Sequence, residues 1–185
     1  MSTVNRELLR KMKDAGCYSV SFGIESGSQD ILDNIGKKMT LEQSRNAVKL
    51  SKEAGIFTIG FFMFGNLGEN EQTMKQTIKF AKSLNPDAAQ FGILVPFPGT
   101  DIRRIIEAEG KILTTRWQDY GNLSGQAIFE HGVLTKPLME KMYRKAYREF
   151  HIRPSWIFKK VIAIRSLSEI KTHIGAVSSI LRMTR

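Results

Sequence analysis

Apolar positions along this chain follow two rhythms, one of amphipathic helices and one of buried strands. Val4, Leu8, Met12 and Ala15 recur at helical spacing and predict an opening helix. A short strand follows over residues 18–24 and runs into a second helical segment. Thr40-Leu41-Glu42-Gln43 matches a capping box, and the helix it opens reaches Ala54 before Gly55 stops it. Residues 56–64 are β-branched or aromatic with almost no polar member, which predicts a strand covered on both faces. Gly65-Asn66-Leu67-Gly68-Glu69 breaks that strand, Met74, Ile78 and Ala81 mark the next helix, and residues 89–95 form a third buried strand after Pro86. Strand, helix and strand alternate throughout, so the sheet is expected to be parallel.

Three strands do not close a barrel, and a free apolar edge is a poor boundary for a sheet on its own. The expected fold is therefore α/β: a parallel-sheet partial (β/α) barrel fragment of about three strands, followed by an α-helical C-terminal region. Residues 1–116 are assigned to the barrel part and residues 117–185 to a helical, basic extension. A complete small three-stranded domain is the alternative. With 185 residues and 42% hydrophobic content, the chain has enough apolar surface for a real core.

Charge changes the picture only at one end. The net charge is +10, yet residues 1–135 carry 16 basic against 15 acidic side chains, whereas residues 136–185 carry 12 against 3. A nucleic-acid site in the first part is disfavoured, and the tail calls for an acidic neighbour. Basic and aromatic residues do not interleave there, and no nucleic-acid-binding motif is present. Ile170, Ile174, Val177 and Leu181 give the last helical segment an apolar face amid Lys159, Lys160, Arg165, Lys171, Arg182 and Arg185. Such a face can rest on an anionic membrane surface, dock on an acidic domain, or pack on its own domain. The N-terminus has no apolar signal core and no stretch is long enough to span a bilayer, so a cytoplasmic location is expected, with peripheral membrane contact through the tail.

Candidate chemistry gathers where strands give way to helices. Gly23-Ile24-Glu25-Ser26-Gly27-Ser28 places Glu25 and Ser26 at the end of the first strand. In parallel α/β folds that edge is where ligands bind, because loop amides and helix N-termini point there. Glu25 can accept hydrogen bonds from ribose hydroxyls or an ammonium group, and Ser26 and Ser28 can cap a helix or meet a ligand oxygen. A capped turn with a solvated glutamate fits the same residues. Cys17 is the only cysteine, so these residues hold no internal disulfide and no metal cluster by themselves. His131, His151 and His173 show no metal-ligand spacing.

Taken together, Ser21-Phe22-Gly23-Ile24-Glu25-Ser26-Gly27-Ser28-Gln29, Gly36-Lys37-Lys38-Met39-Thr40, the 65–69 loop and Pro96-Phe97-Pro98-Gly99-Thr100 resemble the second half of a radical S-adenosylmethionine (SAM) enzyme. The order fits the fourth, fifth and sixth strands of that family's partial barrel, over residues 3–105. The resemblance implies SAM as cofactor, with Glu25 and Ser26 near its ribose and amino-acid part. It implies that Gly65, Asn66, Gly68 and Glu69 lie by the adenine and the reaction site, and that Leu94, Val95 and Pro96 approach the adenine through backbone groups. It also implies an iron–sulfur cluster whose Cys-x3-Cys-x2-Cys ligands are expected upstream of Met1, together with the rest of the barrel. Leu67 and Asn70 depart from the family's Gly-x-Pro-Gly-Glu-Thr pattern. Trp117-Gln118-Asp119-Tyr120, Tyr143, Tyr147 and the segment from His151 to Ile157 are similar to the tails of members with an N-terminal cobalamin-binding domain, which makes cobalamin a further implied cofactor and that domain an implied partner.

Two functions follow as expectations: a fragment of a radical SAM enzyme, not active alone, that acts on an unidentified small molecule by methyl transfer or ring modification; or a non-catalytic binding module with a docking tail. One consequence is directly measurable. The 185-residue chain purified alone and reconstituted with iron and sulfide should show no visible cluster absorption, because it has a single thiol. A stoichiometric cluster would contradict this.

Overall fold

The computed structural model describes residues 3–154, and the basic apolar face at residues 170–181 lies outside them. Three strands, β1 (Ser19–Glu25), β2 (Phe57–Phe64) and β3 (Ala88–Ile93), form one sheet in the order β1-β2-β3. Both pairings are parallel, with Ser19 opposite Phe57 and Ile59 opposite Ala88. The strands expected from sequence are present within one or two residues of their predicted limits.

Helices α1 (Arg6–Asp14), α2 (Gln29–Asn34), α3 (Leu41–Glu53) and α4 (Glu71–Leu84) connect or precede these strands. Each longer helix begins where a side chain satisfies its free amides. Thr40 and Gln43 form the reciprocal box that the sequence predicts, at 3.1 and 2.9 Å. Asn70 accepts from the amides of Gln72 and Thr73 to start α4. In α1 the buried position is Leu9 rather than Leu8, which is exposed. Val4 and Met12 of the predicted stripe are partly buried, while Ala15 is exposed like Leu8.

The strand β2 differs from expectation in a way that matters. Thr58, Gly60, Phe62 and Phe64 are buried, but Ile59, Phe61 and Met63 are only half-buried and Phe57 is exposed. Among the described residues, helices cover one face of the sheet, and the opposite face carries Ser21, Gly23, Phe61, Met63, Gln90 and Gly92. Apolar side chains stand on both faces, so the sequence gives no sign of which face is covered.

Beyond β3 the chain forms α5 (Asp101–Glu109), β4 (Gly110–Ile112), a one-turn 3-10 helix at Trp117–Asp119, β5 (Phe129–His131) and α6 (Lys136–His151). The strands β4 and β5 pair antiparallel, Lys111 opposite Glu130. Residues 117–135, expected to begin a helical extension, are thus one 3-10 turn, loop and strand, and the α-helix starts only at Lys136. Gly121, Gly125 and Gly132 weaken any helix through that stretch. The pairing of β4 with β5 also ties together chain on either side of residue 116.

Helix α6 lies on the covered face of the sheet beside α4. Tyr143, Tyr147 and Phe150 are buried along it, as the aromatic stripe predicts for a packing face. Phe91, in the middle of β3, is the hub of this core. Its ring stacks on Phe62 at 5.3 Å and Phe64 at 6.0 Å, and meets Tyr147 and Phe150 edge-on at 5.4 and 6.1 Å. The Tyr147 hydroxyl sits 3.3 Å from both the amide and the carbonyl of Phe91. Phe91→Ala should therefore lower stability by about 3–5 kcal/mol, read as a fall in the denaturant midpoint. A loss below about 1 kcal/mol would show that the rings around it repack without it.

Candidate functional site

Parallel pairing brings every strand C-terminus to the same edge of the sheet. Glu25 ends β1 opposite Phe62, and Phe64 ends β2, whose carbonyl accepts from the Leu94 amide at 2.8 Å. Glu25 and Ser26, the 65–69 loop and Leu94, Val95 and Pro96 are consecutive along this edge. Every site residue expected from sequence lies here. Cys17 precedes β1 at the opposite edge, its thiol donating to the Ser19 carbonyl at 3.4 Å.

The strand β1 does not end regularly. Its register slips between Gly23 and Glu25, and Glu25 takes a left-handed φ of 66°. Such a backbone costs a side-chain-bearing residue about 1 kcal/mol or more. The slip leaves Glu25 half-buried, with Oε1 accepting from Lys37 Nζ at 2.9 Å. Both charged atoms lie over Gly23, 2.8 and 3.2 Å from where a side chain there would begin. Lys37 comes from the loop after α2. Its pairing with Glu25 leaves no sequence signal, since a partner twelve positions away has no local spacing.

Ser26 turns inward. It is fully buried, its hydroxyl lies 3.2 Å from that of Thr77 on α4, and it accepts from the Ser28 amide at 3.2 Å. The Gly27 amide donates to the same Thr77 oxygen at 2.9 Å. A Cβ on Gly27 would fall within 2.8 Å of the backbone and side chains of Gln76, Thr77 and Phe80. The turn is thus held against α4, and Ser26 shapes it from behind.

The 65–69 loop is closed by its own glutamate. Glu69 Oε2 accepts from the amides of Gly65 at 2.7 Å and Asn66 at 3.0 Å, while Oε1 is buried without a hydrogen-bond partner. Gly65 has a φ of 91°, which suits glycine, and Met139, Phe129 and Leu94 leave little room for a side chain. Asn70, at the place where the family pattern has Thr, is the N-cap of α4, a task that either residue type performs. Burial pushes the Glu69 carboxyl up to about 7, against the pull of its two amide donors.

Next along the edge, Pro96 leads into Phe97 and Thr100, the cap of α5. Arg103 of α5 is nearly buried and donates to Glu107 at 2.6 Å, to the Tyr120 hydroxyl at 2.8 Å and to the Pro96 carbonyl at 3.5 Å. The Phe97, Tyr120 and Trp117 rings stand in a row beside these residues, with neighbouring centroids 5.8 and 5.0 Å apart. Among the described residues no group of His, Cys, Asp and Glu side chains is arranged to hold a metal ion, and no helix is long and apolar enough to cross a membrane.

This is an open parallel sheet of βα units, the architecture of a (β/α) barrel segment. Residues 1–81 match the family model of the radical SAM superfamily, and over that segment the chain belongs to this superfamily. It is 38% identical over 161 residues to PH0819, an uncharacterised methyltransferase of Pyrococcus horikoshii, covering 87% of this chain and 35% of that protein. It is 36% identical over 98 residues to the anaerobic magnesium-protoporphyrin IX monomethyl ester cyclase of Rubrivivax gelatinosus, covering 53% of this chain and 18% of that one. The chain thus spans about a third or less of the length of these relatives. Its fold is similar to that of the radical SAM methyltransferase TsrM of Kitasatospora setae, solved with cobalamin and a [4Fe-4S] cluster bound. That likeness has a TM-score of 0.52 at 22% identity and covers 62% of this chain and 24% of that one.

The raised carboxyl gives a pH test. A carboxyl whose pKa is higher folded than unfolded keeps its proton in the folded state as pH rises from 4.5 to about 7, so stability falls across that window. The full effect is about 3 kcal/mol. Glu69→Gln, which mimics the protonated form, should flatten the pH dependence of unfolding between pH 5 and 8. A slope unchanged by the substitution would show that other groups set it.

Proposed function

We propose that this chain is the C-terminal part of the core of a radical SAM enzyme acting in methyl transfer or ring modification, and that the C-terminal edge of its sheet holds the cofactor. The observation that carries this reading is the gathering of Glu25, the 65–69 loop and residues 94–96 on one edge. The superfamily membership and the methyltransferase-named relative support it.

The residues present fit SAM. Glu25 is half-buried at the rim, already paired with a cation, and has a carboxylate able to accept from two ribose hydroxyls. Lys37 beside it offers a counter-charge for the carboxylate of the amino-acid part. Glu69 uses both amides of the loop's first turn, so it sets the loop's shape and leaves the more exposed Leu67 and Gly68 toward the ligand. Ser26 serves this site through Thr77 and the Ser28 amide, as a positioning residue. When bound, SAM supplies radical or methyl-transfer chemistry.

The residues do not fit an iron–sulfur cluster. Cys17 is the sole thiol and stands at the far edge, so a cluster would need ligands from outside these 185 residues. Cobalamin belongs to the reading as a partner domain's cofactor, supported by the tail resemblance and by the TsrM fold likeness. Both the substrate and that domain are parts of the same proposal.

Titration calorimetry of the 185-residue chain with SAM tests the cofactor edge. Glu25→Gln keeps the side-chain length and should weaken binding roughly tenfold, the loss expected for hydrogen bonds to a charged acceptor. The thermal unfolding curve should stay in place. Unchanged affinity in the variant would remove Glu25 from the site.

A further inference from the structure

The row of rings next to the proposed cofactor edge is built, not incidental. Phe97 is 45% exposed and Trp117 68% exposed, with the less exposed Tyr120 between them. Single exposed aromatic residues are ordinary, but three in contact form a continuous apolar surface. Neighbouring rings are tilted by 46° and 42°, so a flat ligand that lies face-on to Tyr120 meets Phe97 and Trp117 at an angle.

Polar contacts hold this ledge of rings from behind. The Tyr120 hydroxyl accepts from Arg103, which Glu107 and the Pro96 carbonyl fix in turn. Asp119 accepts from the Thr114 hydroxyl at 2.7 Å and from Arg116 at 2.9 and 3.2 Å, which locks the 3-10 turn carrying Trp117. Just beyond it, the Asn122 carbonyl accepts from the Ile93 amide at 2.8 Å, and the Leu123 carbonyl accepts from the Tyr143 hydroxyl at 2.8 Å. The first contact fastens the segment to the end of β3 and the second fastens it to α6. The ledge therefore starts three residues past Leu94 and is continuous with the rim.

The rim charges nearby are already matched. Arg104 pairs with Asp101 and Arg116 with Asp119, so the ledge presents ring surface with no net charge of either sign. A ligand would be recognised by shape and by its π-face, not by ion pairing. A single six-membered ring can cover one of the three side chains. Touching all three takes a flat surface roughly 10 Å across, given ring contacts of ordinary spacing.

We infer that Phe97, Tyr120 and Trp117 form the substrate-binding ledge of this site and that they take an extended, planar, conjugated ring system about as wide as a macrocycle. This inference rests on the proposed function, because it names the substrate class of the same edge. The ledge gives such a ligand offset and edge-on ring contacts, and its position beside residues 94–96 brings the ligand's margin to the cofactor edge.

The test uses the full 185-residue chain and coproporphyrin, a water-soluble planar macrocycle, followed by its absorption change and by quenching of tryptophan emission. Tryptophan amide serves as the single-indole comparison. Binding should be saturable, and coproporphyrin should bind at least tenfold more tightly than the indole. Phe97→Leu and Trp117→Leu keep apolar bulk but remove a ring, and each should weaken coproporphyrin roughly three- to tenfold. Neither should alter SAM binding in calorimetry. Equal coproporphyrin affinity in wild type and both variants would overturn the inference, since adsorption to any apolar surface survives a change to leucine. Indole binding as tight as macrocycle binding would overturn the size argument. If SAM binds and coproporphyrin does not, the ledge inference fails alone. If coproporphyrin binds through the rings and SAM does not bind, the cofactor reading fails and the ledge stands.

Discussion

Parallel pairing of three strands is the constraint from which the rest of this structure follows. Because β1, β2 and β3 run the same way, each must be reached by a crossover, and the helices of those crossovers cover one face. The same pairing lines up the strand C-termini, so turns that are far apart in sequence become neighbours on one edge. Phe91 shows the packing side of this arrangement. It joins the aromatic residues of β2 to those of α6, and that late helix completes the layer that α3 and α4 begin.

The two edges of the sheet have different work. At the edge where the strands begin, Asp87 accepts from the amide and hydroxyl of Thr58 at 2.9 and 2.8 Å, a contact that pins β2 to the start of β3. At the other edge the structure accepts local costs: a left-handed glutamate, a buried carboxyl with one unpartnered oxygen, and exposed rings. Costs of this kind concentrate where a fold binds something. They are the physical reason for placing function on that edge.

Much of this was legible in the sequence. Strand positions followed from apolar runs bounded by glycine and polar turns, and the capping box at Thr40 fixed the start of α3. The candidate residues share one edge because strand ends are recognisable in the sequence and parallel pairing lines them up. What was not legible depends on contacts across the fold. The half-open face of β2 carries the same Phe, Ile and Met types as its buried face. Lys37 reaches Glu25 only because a loop folds back, and Ser26 meets Thr77 fifty-one positions away. The inward turn of Glu69 onto its own loop likewise left no mark beyond its place in a motif. The non-helical course of residues 117–135 was not legible because their glycines are spaced among residues of no clear period, and the β4–β5 pairing that organises them is short.

The close approach of Gly27 to α4 has a consequence for how such a rim evolves. With no side chain between them, the backbone of the turn and the backbone of the helix are practically in contact, joined further by the Thr77 hydroxyl. Displacing α4 by a fraction of an ångström would carry the turn along with it. The outer surface of α4 is therefore a remote adjustment point: substitutions there can re-aim Glu25 and its neighbours while every residue at the rim stays the same. Natural variation could tune this edge through positions that lie outside it.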